Sequence, residues 1–185
     1  MINSLEFCSS ETALKLSNLE QKLFSMSWDA SIIEQKINDK SFKYWIYEDE
    51  KEIIGYLGIQ FIHHDIEILG IGVLEEYRKK GVATELMDLL ISYFETSKYE
   101  KIILEVRESN TSAQSLYKKY NFKYFGKRKK YYVTEDADIF IKEKVYAEWT
   151  THIRLWNKLW WDGHSFNEGW WLVDKQDFIT GRNSW

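Results

Sequence analysis

The stretch from Ile66 to Phe94 places the tightest constraint on how this chain can fold, because it reads as a strand, a basic glycine turn and a helix in direct succession. Leu69, Ile71 and Val73 alternate with Gly70 and Gly72, so the period-2 pattern predicts a strand with one bulky face and one nearly bare face. A bare strand face lets another molecule lie against the backbone. After Arg78-Lys79-Lys80-Gly81, the residues Ala83, Leu86, Met87, Leu90 and Phe94 recur at helical spacing, which puts the turn at a helix N-terminus. The first amides of a helix lack acceptors and carry partial positive charge; three cations surround them here, and Gly81 permits close approach. The combination is an anion cradle suited to a pyrophosphate. An ordinary βα turn with solvated lysines is the plainer alternative.

Elsewhere the chain predicts a short strand over Ile2 to Cys8 and a helix starting at Ser9-Ser10-Glu11, with Leu14, Leu16, Leu19 and Leu23 as its apolar positions. A second helix is expected over Ala30 to Ile37, then strands over Ser41 to Tyr47 and Ile53 to Ile62 around the charged turn Glu48-Asp49-Glu50-Lys51. Lys101 to Arg107 reads as a strand. Asn110 can cap a helix carrying Ala113, Leu116, Tyr117 and Tyr120, and Asn121 tolerates the left-handed conformation that closes it. Two more strands follow, about Lys123 to Tyr132 and Asp136 to Lys142. So many hairpin-linked strands do not suit a doubly wound sheet; the expected class is α/β of the α+β kind, a mixed central sheet with helices on both faces.

A net charge of -4 argues against a general nucleic-acid binder and suits a basic peptide substrate. The single cysteine, Cys8, excludes an internal disulfide and fits a reducing compartment. With no signal-like N-terminus and no apolar run near the roughly 20 residues needed to cross a bilayer, the expected location is the cytoplasm, without membrane insertion. His63 and His64 are adjacent, on a strand that would point them to opposite faces, and no His or Cys spacing suggests a metal. No Ser/His/Asp or Cys/His arrangement supports a covalent intermediate, which favours direct group transfer.

Arg78, Gly81 and Ala83 occupy the positions of Gln/Arg-x-x-Gly-x-Gly/Ala, so the turn resembles the acetyl-CoA-binding motif of the Gcn5-related N-acetyltransferase (GNAT) family. Leu104-Glu105-Val106-Arg107, Ser109-Asn110, Ala113, Leu116-Tyr117, Phe122, Arg128, Tyr131-Tyr132 and Glu135-Asp136-Ala137 resemble its RimI-type branch, the ribosomal-protein alanine N-acetyltransferases. The likeness spans about residues 1–143 and departs from the pattern at Asn121 and Ala83, where glycine is usual, and in lacking the branch's prolines.

The resemblance implies the GNAT fold, acetyl-CoA as co-substrate and a protein N-terminal amine as acceptor, with the N-terminal alanine of a small-subunit ribosomal protein first in line. Other N-termini, a lysine, a polyamine or an aminoglycoside are alternative acceptors, and a fold retained only for binding is a further one. An α-amine with a reference pKa near 7.7 to 8.0 must lose a proton before it attacks, and Glu105 is the expected base, its carboxyl raised by partial desolvation. A surface glutamate paired with Arg107 or a lysine is the plainer reading. Tyr117 is the expected acid toward the departing sulfur, or else a core aromatic. Asn110 is expected to touch the cofactor as well as to cap. Ile71, Gly72 and Val73 are expected to meet the pantetheine arm through backbone groups, and Arg78, Lys79, Lys80, Gly81, Val82, Ala83 and Thr84 to hold its phosphates. Phe24, Trp28, Tyr131 and Tyr132 are expected to wall a peptide groove, with Glu135 and Asp136 nearby for cationic residues.

Residues 144–185 lie beyond the likeness and hold seven of the nine tryptophans. Val145, Trp149, Ile153, Trp156 and Trp160 recur at helical spacing, so an amphipathic extension is expected, buried against the chain's own domain, a second copy or a partner.

Overall fold

A computed structural model of the protein describes residues 1–145 other than Glu6, Ser25, Met26 and Val133. The tryptophan-rich extension expected from 144 onward lies, from residue 146, outside the described residues. The described elements are β1 (Ile2–Leu5), α1 (Ser10–Leu23), α2 (Ala30–Asn38), β2 (Phe42–Asp49), β3 (Glu52–Ile62), β4 (Asp65–Val73), a 3₁₀ turn (Glu75–Tyr77), α3 (Val82–Thr96), β5 (Lys101–Arg107), α4 (Thr111–Lys119), β6 (Lys123–Tyr132) and β7 (Glu135–Glu143). The strands form one mixed sheet in the order β1-β2-β3-β4-β5-β7-β6. Its only parallel pair among the described residues is β4 with β5.

Local chemistry explains the boundaries. Ser9 caps α1 by accepting the Thr12 amide, and Asn110 caps α4 by accepting the Ala113 amide. Glu50 and Lys51 take positive φ to turn β2 into β3, and Asn121 (φ 63°) closes α4 in the left-handed region. The sheet is covered on both faces. Trp45 and Phe61 pack on Tyr93 of α3, while their neighbours in alternation, Tyr44 and Tyr56, stack together on the α1 side. Leu86, Met87, Leu90 and Phe94 of α3 are buried, as are Ile66, Ile68, Ile102 and Leu104 of the parallel pair.

Three expectations are corrected. Leu14 is 55% exposed, and the buried stripe of α1 runs instead through Ala13, Leu16, Ser17, Leu19 and Glu20. His63 and His64 sit in the turn between β3 and β4, with His63 at φ 53°, not on a strand. Leu69 does not share a face with Ile71 and Val73 by simple alternation: Gly58 pairs with Gly70 and Ile59 with Ile68, so Leu69 is the extra residue of a bulge. The bulge restores phase, leaving Ile66, Ile68, Ile71 and Val73 on the α3 face and Glu67, Gly70 and Gly72 on the α1 face.

Candidate active site

The bulge sits where the parallel pair ends. β4 and β5 are bonded only from Asp65–Lys101 to Ile68–Leu104, after which they part. Between them opens a cleft of about 770 Å³, within the ordinary size of a small-molecule site. Ile71, Gly72 and Val73 line one wall and Glu105, Val106 and Arg107 the other. On that stretch β4 pairs with β3 alone, so the backbone groups facing the cleft have no strand partner. Apart from the Val73 carbonyl, which takes a side-chain bond from Arg78, they can meet an extended ligand as an added strand would.

One end of the cleft is the start of α3. The first helical bond runs from the Glu85 amide to the Gly81 carbonyl (2.9 Å), so the amides of Val82, Ala83 and Thr84 have no acceptor within the helix. Gly81 holds φ 94°, the left-handed region that glycine enters without strain. Lys79 (φ 60°) lines the cleft beside it. Arg78 also lines the cleft, but its Nε donates to the Val73 carbonyl at 3.2 Å and so braces the turn. Lys80 is not among the lining residues; its ammonium lies over the Tyr77 ring at 5.0 Å. The cradle is thus mainly main-chain amide, with the Lys79 side chain lining it.

Asn110, Glu105 and Tyr117 come together on the β5 side of the same cleft. Glu105 is 16% exposed and accepts from Arg128 Nη1 at 2.9 Å. Its bond with the Tyr131 phenol, followed by burial, pushes that phenol up to about 12. A second acidic residue lies one strand away. Glu67 pairs with Gln60 and Ile103, which puts it on the α1 face with Glu105, and burial followed by the like charge of Glu105 raises its carboxyl. Burial, then Tyr132, pushes the Tyr117 phenol well above its usual range, so it is protonated at neutral pH.

Residues 12–122, more than half of the chain, match the Acetyltransferase (GNAT) family. The chain belongs to that family. It is an acetyl-CoA-dependent N-acetyltransferase. Relatives include a putative ribosomal protein bS18-alanine N-acetyltransferase of Bacillus subtilis, 29% identical over 124 residues, covering 66% of this chain and 82% of that protein. An N-alpha-acetyltransferase of Saccharolobus solfataricus is 46% identical over 72 residues, covering 38% of this chain and 43% of the relative. The Escherichia coli ribosomal-protein-S18-alanine N-acetyltransferase shares the fold, with a TM-score of 0.69, 20% identity, and coverage of 80% of this chain and 96% of that one. The acetyltransferase cleft suits acetyl-CoA in its donor set: consecutive free amides for a pyrophosphate and an open strand edge for an amide-bearing arm. Among the described residues no group of three or more His, Cys, Asp or Glu is placed to hold a metal ion.

The acceptor-side residues are divided. Phe24 and Tyr132 line the cleft; Trp28, Tyr131, Glu135 and Asp136 do not. Tyr131 packs edge-on against Tyr132 and beneath Arg128, and Trp28 carries the Lys36 ammonium at 4.3 Å from its ring. Glu135 is committed within the chain, bonded to Arg107 Nη1 at 2.9 Å and to the Ser109 amide; these bonds hold its carboxyl below the usual range. Asp136 accepts the Lys130 amide at 2.8 Å, stabilising positive φ at the β6 irregularity. Their carboxylates shape the β5–α4 and β6–β7 connections. The bare face of β4 is also largely filled from within: a Cβ on Gly72 would come within 2.5 Å of Leu23, and one on Gly70 within 2.9 Å of the Tyr56 hydroxyl. Glu67, Tyr56 and Glu20 were not singled out from sequence. An acidic residue inside the Leu16–Leu23 stripe was the available signal for the last.

Proposed function

We propose that this acetyltransferase modifies a protein N-terminal α-amine, with the N-terminal alanine of a small-subunit ribosomal protein as the leading acceptor, in the cytoplasm. The observation that carries the reading is the single cleft in which the α3 amides, the free edge of β4, Glu105 and Tyr117 all meet. The kinship with alanine and N-alpha acetyltransferases supports the choice of acceptor. The pantetheine arm lies along Ile71 to Val73, the phosphates sit on Lys79 and the amides from Gly81 to Thr84, and Asn110 contacts the cofactor while capping α4.

Bound acetyl-CoA supplies an acetyl group activated as a thioester. Glu105 takes the ammonium proton of the acceptor, directly or through water, and Glu67 is a second acidic residue on the same face of the sheet. The free amine forms the N–C bond as the C–S bond breaks. Tyr117 hands its proton to the departing sulfur, whose thiol pKa is about 8.5 by reference. Phe24 and Tyr132 flank the acceptor, with Trp28 and Tyr131 supporting them from behind.

An acceptor screen with labelled acetyl-CoA tests the assignment, using peptides that begin with alanine, serine or methionine, a peptide with an internal lysine, and spermidine. Alanine or serine N-termini are expected to lead. Preference for lysine or spermidine overturns the acceptor.

A further inference from the structure

Glu20 is a carboxylate buried to 6% exposure in the apolar stripe of α1. No cation lies within ion-pair distance of it among the described residues, and an unpaired buried carboxylate is costly unless hydrogen bonds compensate. Here they do. Oε1 accepts the Tyr56 hydroxyl at 2.8 Å and Oε2 accepts the Trp28 backbone amide at 2.9 Å. The carbonyl of Glu20 accepts the Phe24 amide at 2.8 Å, and Ser17 Oγ donates to the Trp28 carbonyl at 2.9 Å. One residue therefore holds both Phe24 and Trp28, the two ends of the segment that leaves α1 for α2.

The other half of the contact reaches the floor of the cleft. The Tyr56 hydroxyl stands over Gly70, its ring lies beside Gly72, and Phe24 meets that ring edge-on at 6.5 Å. Gly70, Gly72, Leu23 and Phe24 all line the cleft. A carboxylate only accepts, so Tyr56 and Trp28 must both donate, which fixes the direction of each bond. A leucine at position 20 would fill the stripe but join nothing.

We propose that Glu20 is a positioning residue for the acceptor: through Tyr56 and Trp28 it holds the Phe24 wall against the Gly70–Gly72 floor and so sets how tightly the acceptor is gripped. It touches neither the α3 cradle nor the Glu105 and Tyr117 side. The inference rests on the peptide-acceptor reading above for the identity of what is gripped.

Steady-state kinetics of the full chain and of Glu20→Gln and Tyr56→Phe test it, alongside melting curves and calorimetry with coenzyme A. The KM for an alanine-terminated peptide is expected to rise roughly tenfold in each variant, the loss of a hydrogen bond to a charged group, with kcat within about twofold and the affinity for coenzyme A, whose arm shares the Ile71–Gly72 part of the floor, changed by much less. Because both act through one contact, the double variant is expected to cost no more than the worse single one. Folded variants with unchanged peptide KM, or with coenzyme A affinity weakened as much as peptide KM, overturn the proposal. If the wild type takes only a small amine, the acceptor reading fails instead. The positioning role is then read from the KM of that amine, which must rise in the same two variants.

Discussion

At the cofactor end of the cleft the groups that meet phosphate are consecutive, Lys79 to Thr84, and most of them are main-chain amides whose direction follows from the start of α3. At the acceptor end the groups come from α1, β3, β4, β5 and β6, and they are side chains held by other side chains, as Glu20 is by Tyr56 and Glu105 by Arg128. A site made of one turn tolerates changes in side chains but not in backbone conformation. A site assembled from five elements tolerates neither loss of a buried charge nor loss of its partner.

The sharpest test of that contrast removes the charge from Glu105. Glu105→Gln is expected to lower kcat by roughly 10² to 10⁴-fold, the range of general-base contributions, with coenzyme A affinity retained by calorimetry; retained turnover would move the base to Glu67. Tyr117→Phe follows, with turnover reduced roughly 10- to 100-fold, toward the lower end for general-acid help, and again unchanged coenzyme A affinity. If that affinity falls with turnover, the phenol belongs to the cofactor end and the division between the ends breaks.

Gly81→Ala addresses the backbone-made end. A Cβ there would meet only Glu85, at 3.8 Å, so the cost is conformational, about 1–2 kcal/mol for a left-handed L residue. Melting is expected to fall accordingly and coenzyme A affinity to weaken, whereas a comparable side-chain change, Lys80→Ala, is expected to leave affinity nearly intact.

The smallest effect concerns Glu67. Its carboxyl is raised in the folded state, first by burial and then by Glu105, so the folded protein binds the proton more tightly than the unfolded chain does. The ionised group therefore destabilises the fold as pH rises from the unfolded carboxylate value, about 4.3, through the folded one. Glu67→Gln is expected to raise melting at neutral pH and to leave it unchanged at pH 3, as measured by thermal melts across that range.

The same contrast governs what could be read from sequence. Arg78, Gly81, Ala83 and the helix behind them are contiguous, so the turn announces itself, as do the Asn110 cap and the left-handed Asn121, each fixed by its own residue chemistry. The Leu69 bulge could not be seen, because it is a mismatch between β3 and β4 and belongs to neither strand alone. Glu135 and Asp136 have the composition of a charged rim, yet their partners, Arg107, Ser109 and Lys130, are reached only once β5 and β6 flank β7. The partner of Glu105 was equally out of reach of the sequence: the plainer reading paired it with Arg107 or a lysine, whereas Arg128 comes from a strand two places away in the sheet.

The parting of β4 from β5 leaves a missing rung in the middle of the molecule's most cohesive layer. An amide-bearing arm laid along Ile71 to Val73 closes that gap from outside the polypeptide, so loading the enzyme is also the last act of assembling its sheet. Heat resistance should then track the supply of coenzyme, by the mass-action gain that any native-state ligand confers, and a cell short of it would hold this protein in its most fragile form.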